Sequence, residues 1–203
     1  MRGSRVIMRL GNSGYKKGIV GSINLRDTYS GNEVEFLESI NECVKEYASQ
    51  LSKGHIQKAY KGILTFMSEL RSYLGNKYPD YTVGSLYFGY MDMTYFAFTP
   101  ADLKNKKLKI AVVYLHEKGV FEVWLAGNNR KIQAEYIALM GSENIGKYKL
   151  SQVIPGVDSI IESTLVEKPD FDHPEELKKQ IEKKTMEFIK DITSILDEPQ
   201  GVL

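Results

Sequence analysis

Two β-rich runs, Leu108–His116 and Val120–Ala126, joined by the short turn Glu117-Lys118-Gly119, read as a hairpin around which the rest of the chain packs. In the second run a period of two puts Val120, Glu122 and Trp124 on one face and Phe121, Val123 and Leu125 on the other, so a carboxylate stands on an inner strand. Upstream, Leu37, Ile40, Val44, Tyr47 and Leu51 recur every three or four positions and predict an amphipathic helix from about Val34 to Gly54. A second helix is expected over Ile56–Leu74, with Gly75 as its C-cap and the tight link at Gly54 folding the two into a hairpin. The aromatic stretch Ser85–Phe98 predicts one long strand or two short ones, with Gly89 marking a bulge or bend. Pro100–Lys109 reads as a polar turn or a single helical turn carrying a small lysine cluster.

After the hairpin, Asn128 or Asn129 can cap a helix over Arg130–Met140, and Asp158–Val166 is expected to form a fourth strand of imperfect period. Asp172, Pro174 and Glu175 resemble a helix start, and Leu177, Ile181, Phe188, Ile192 and Ile195 form the stripe of a last helix ending near Leu196. The fold class is therefore α+β in the order αα-βββ-α-β-α: an N-terminal helical hairpin, a three-stranded antiparallel sheet extended by a fourth strand into a mixed one, and flanking helices. Residues 1–33 read as a basic flexible leader, 34–198 as a single domain and 199–203 as a tail. The leader holds six basic residues and no acid through Arg26, and it lacks a periodic apolar face.

Composition narrows the function classes. The 203 residues carry 27 basic and 26 acidic side chains, a formal charge of +1, so no global field recruits nucleic acid or an anionic membrane. Nucleic acid stays possible through local patches, unsupported by net charge. The single cysteine, Cys43, excludes an internal disulfide and fits a reducing, cytoplasmic compartment. It lies beside the apolar helix face and is expected to be a buried core residue. No apolar run approaches the ~20 residues of a membrane helix.

Phosphate-binding glycine loops, nucleophile elbows and His-Glu-x-x-His are absent from the sequence. His55 and His173 stand at helix starts, where capping is their ordinary role, and His116 ends a strand close to the carboxylates. Those carboxylates are Asp92 and Glu122; charged residues on inner strands are rarely left without partners. Paired strand carboxylates can hold Mg²⁺ or Mn²⁺ for phosphodiester cleavage, but the lysine such chemistry wants two residues beyond Glu122 is replaced by Trp124. The aromatic residues nearby can stack bases, line a pocket or fill a core.

The stretches Gly89-Tyr-Met-Asp-Met-Thr-Tyr-Phe96, Leu108-Lys-Ile110, Phe121-Glu-Val-Trp-Leu125 and Val157-Asp-Ser-Ile-Ile-Glu162 resemble an uncharacterised bacterial family, a domain of unknown function, over Ile40–Leu196. More remotely, the element order with a strand glutamate resembles the restriction-endonuclease-like, PD-(D/E)XK, fold, which would place Asp92 and Glu122 near metal-binding acids and make Trp124 the mark of a degenerate, non-cleaving member. The reading is a noncatalytic binding or interaction domain with no cofactor, using Tyr90, Asp92, Tyr95, His116, Glu122 and Trp124. Its alternatives are a metal-dependent nuclease using Asp92 and Glu122, and a small-ligand-binding protein. Partner, ligand and oligomeric state stay open.

Overall fold

The computed structural model describes residues 39–141, 145–154 and 157–197. The leader over 1–33 and the tail over 199–203 lie outside the described residues. The described chain divides into two compact units, one ending at Lys61 and the other running from Gly62. Ten elements follow in order: α1 (Ile40–Ser52), α2 (His55–Lys77), β1 (Thr82–Val83), β2 (Met93–Thr99), α3 (Ala101–Asn105), β3 (Leu108–Leu115), β4 (Val120–Gly127), α4 (Arg130–Met140), β5 (Ser159–Val166) and α5 (Pro174–Asp197).

In the first unit, α1 starts later than its apolar period implies. Ser39 is extended and caps it: its hydroxyl accepts from the Glu42 N–H while the Glu42 carboxylate accepts from the Ser39 N–H, a reciprocal capping box. No residue of α1 is buried, and Ile40, Val44 and Tyr47 are all exposed. Lys53-Gly54 joins α1 and α2 directly, while along the apolar stripe of α1 Ile40, Val44 and Tyr47 are exposed and Leu51 is half-buried. Cys43 is likewise exposed, against its expected place in the core. We expect a thiol reagent to modify Cys43 stoichiometrically in the native protein at close to the rate of an unstructured peptide. Labelling that waits for denaturant would contradict this exposure.

The second unit is built on a sheet ordered β1-β2-β3-β4-β5, with every neighbouring pair antiparallel. Three expectations change here. The sheet has five strands because Thr82–Val83 pairs with Phe98–Thr99. The aromatic strand begins only at Met93. The mixed extension is replaced by an antiparallel one: β5 begins beside the end of β4, with Ser159 opposite Ala126, since the chain returns after α4 along Leu150 and Ser151 before turning in. An antiparallel meander in chain order gives the likeness to the restriction-endonuclease-like fold no topological support.

One face of the sheet carries Phe96, Phe98, Ile110, Val112, Phe121, Val123 and Leu125 and packs with Phe66, Met67, Leu70 and Leu74 of α2, Ile132 of α4 and Leu177, Ile181, Phe188 and Ile192 of α5. Each of these large side chains contributes roughly 1.5–3 kcal/mol by leaving water. Helix α2 runs past Leu74 to Lys77, so Gly75 lies inside it and is not its C-cap; a Cβ there would sit 3.4 Å from Val83 Cγ2, the side chain β1 lays against the helix. The other face carries Met93, Ala111, Val113, Leu115 and Trp124, with Tyr95 and Val120 packed beside them. The period of two in β4 thus divides its residues between the two faces as the sequence implies.

Candidate functional site

The segment before β2 is held by its own polar groups. Asp92 Oδ1 accepts from the Tyr90 N–H at 2.9 Å and the Met93 N–H at 2.7 Å, as a short carboxylate in a turn does. Thr94 Oγ1 donates to the Phe88 carbonyl at 2.9 Å, and Tyr87 and Tyr95 exchange backbone hydrogen bonds with their rings 4.9 Å apart. Gly89 has φ +70°, and a Cβ there would lie 2.0 Å from the Met93 carbonyl oxygen, so only glycine fits. Met91 also sits at positive φ, 64°, a conformation costing a side-chain-bearing residue roughly 1–2 kcal/mol. The pinned loop leaves Tyr87, Phe88 and Met91 exposed and Tyr90 91% exposed.

His116 closes the base of this loop. Its N–H donates to the Asp92 carbonyl at 3.0 Å, and its Nε2 lies 2.9 Å from Thr94 Oγ1. The one Thr94 hydroxyl hydrogen goes to Phe88, so Nε2 must carry the proton and donate to Thr94. Burial lowers the His116 pKa, and the Asp92 charge opposes that only in part. Burial likewise pushes the Tyr95 hydroxyl up to about 12, with smaller contributions from Tyr87 and Asp158.

Glu122 and Trp124 belong to a different arrangement. They share one face of β4, and the indole Nε1–H donates to Glu122 Oε2 at 2.6 Å, while Lys118 Nζ stands 3.9 Å from Oε1. Trp124 is 1% exposed and Glu122 6%, so neither ring face nor carboxylate opens to a mouth. The residue in the place of a catalytic lysine is the carboxylate's hydrogen-bond donor.

Asp92 and Glu122 are not brought together. Strand register sets them two strands and three residues apart, about 14 Å between Cα atoms, whereas ligands of one divalent ion have oxygens within about 4 Å of each other. Among the described residues no group of three or more His, Cys, Asp or Glu is placed to hold a metal. Of the six residues expected to form a site, Tyr90, Asp92, Tyr95 and His116 gather at the loop, and Glu122 and Trp124 pair on the sheet.

Residues 40–196 match the family model described as Domain of unknown function (DUF7000), across both the pinned loop and the Glu122–Trp124 strand. The chain belongs to this family. No curated protein and no solved structure matches it. No described helix of this DUF7000 chain is long and apolar enough to cross a membrane.

A further polar cluster in the DUF7000 domain escapes sequence reasoning. Glu182 of α5 accepts from the Tyr73 hydroxyl, from the Tyr78 hydroxyl at 2.6 Å and from Lys77 Nζ at 2.7 Å. Burial pushes the Glu182 pKa up, but the bonds from Lys77, Tyr73 and Tyr78 outweigh it and hold the carboxyl below its ordinary range. Tyr78 is pushed up to about 12 by burial and by its bond to Glu182. The available signal was the position of Glu182 directly after Ile181 on the buried stripe; its tyrosine partners lie more than 100 residues away in sequence.

Proposed function

We propose that this DUF7000 domain is a noncatalytic interaction module whose contact element is the loop Tyr87–Met91. The carrying observation is a pinned turn that holds Tyr87, Phe88, Tyr90 and Met91 out of the core, with positive φ at Gly89 and Met91. Large apolar side chains normally leave water, and a loop that exposes four of them side by side fits a surface used against a partner. Aromatic anchors with few rotatable bonds dominate protein contacts, and a pre-formed loop avoids the ordering cost of binding. Asp92, Thr94 and His116 are positioning residues in this reading: they hold the loop and do not react. The nuclease alternative has no converging carboxylates to support it.

A photo-crosslinking residue at Tyr90 tests this in cells. Adducts of one defined mass from Tyr90 and Phe88 are expected, with none from exposed Lys131 on α4. Phe88→Ser with Tyr90→Ser should weaken the recovered complex about tenfold or more without moving the melting temperature. Absence of any adduct at Tyr90 would remove the reading.

A further inference from the structure

Beside the Glu182 cluster an open groove of about 390 Å³ runs along α5, lined by Tyr78, Lys179, Glu182, Lys183, Met186, Glu187 and Lys190. Lys179, Lys183 and Lys190 belong to one stripe of the helix, exposed at their ends. Their methylene stems join Met186 and the Tyr78 ring as apolar walls while the ammonium groups stand in water. The two carboxylates do not cancel this charge. Glu182 is already engaged by Lys77, Tyr73 and Tyr78, so the groove and its immediate support hold four ammonium groups, at Lys77, Lys179, Lys183 and Lys190, against two carboxylates, at Glu182 and Glu187.

We propose that the groove binds a small single-chain amphiphilic anion, an apolar chain ending in a carboxylate or phosphate. An apolar floor with a net-positive rim complements that class and disfavours a neutral or cationic chain. Lys179 and Lys183 are one helical turn apart and can share one anionic head. Glu187 repels a head placed further along, so the chain lies over Met186 toward Lys190. From Lys179 to Lys190 the helix rises about 16 Å, enough for a chain of about ten carbons. The volume lies in the range of small-molecule sites.

Calorimetric titration of the full chain with decanoate, decyl phosphate and decanol tests the proposal. One decanoate or decyl phosphate per chain is expected, with decanol at least about tenfold weaker. Lys179→Glu with Lys183→Glu should weaken decanoate about tenfold or more at an unchanged melting temperature, and Met186→Glu should abolish it. No saturable decanoate binding at about 1 mM, equal binding of decanol, or full binding by the double variant each overturns the site. Retention on phosphatidylglycerol vesicles without binding of the free amphiphiles also overturns it, assigning the lysines to a membrane surface instead.

Discussion

Trp124→Ala is expected to destabilise the domain by about 3–5 kcal/mol, read as a fall in the urea midpoint at constant slope. The indole is almost wholly buried among Met93, Ala111, Val113 and Leu115, and its N–H is the 2.6 Å donor to Glu122. Truncation therefore opens a cavity and strands a buried carboxylate. Trp124→Phe separates the two effects: it keeps most of the packing and removes only the donor, for a cost of about 1–3 kcal/mol. Glu122→Leu in the Trp124→Phe background should recover much of that loss, because two apolar partners leave no polar group unsatisfied. The same strand decides the nuclease alternative. Mg²⁺ or Mn²⁺ should leave the melting temperature of the native protein unmoved, given the distance between Asp92 and Glu122. A metal-dependent rise that Glu122→Gln abolishes, accompanied by cleavage of DNA or RNA, would establish that alternative. A neutral Trp124→Phe would instead show that the indole hydrogen bond contributes nothing.

What the chain discloses by pattern is its local structure. The β3–β4 hairpin, α4 with its Asn129 cap and the long stripe of α5 follow from side-chain period and capping chemistry, both of which act within a few residues. The aromatic run misleads because Tyr and Phe favour strands by composition, while the turn at Gly89 and Met91 is set by polar bonds to Asp92 and Thr94 that no hydrophobic period registers. In β5 the register shift opposite Leu125/Ala126 leaves the adjacent Ile160 and Ile161 both buried, the shift opposite Phe121/Glu122 does the same for Leu165 and Val166, and this blurs the period. An amphipathic pattern also states that a helix has an apolar face without saying what that face meets. That is why α1 is legible as a helix and Cys43 is not legible as exposed.

The site is less legible than the fold because its partners are remote in sequence. Asp92 and Glu122 are sound choices as carboxylates on or next to strands, and both have definite partners. But convergence depends on register across three strands, and register turned one toward backbone N–H groups and the other toward an indole. Tyr90 and His116 were brought to one loop by the same register.

Replacing Glu182 by leucine is expected to cost roughly 3 kcal/mol at neutral pH, since two partly buried tyrosine hydroxyls lose their acceptor together. Lys77 adds little to that figure: its side chain is half exposed and water takes the place of the lost carboxylate. The effect carries a pH signature. Burial raises the Glu182 pKa, but the donors lower it further, so the folded value lies below the ordinary glutamate value of 4.5. The folded state then binds fewer protons than the unfolded state in this range. The carboxylate's contribution is complete above the unfolded value and is lost as pH falls through the folded one. Glu182→Gln keeps an amide oxygen for one hydroxyl and removes the titration. The stability gap between the native protein and Glu182→Gln should therefore be constant from about pH 6 to 7 and shrink below about pH 4. Taking the difference between the two proteins cancels the other acids that titrate there, among them Asp170 and Asp191, whose pKa values are also held low by hydrogen bonds. A gap that stays constant down to about pH 3 would mean that the carboxyl gains nothing from Tyr73, Tyr78 and Lys77 on folding.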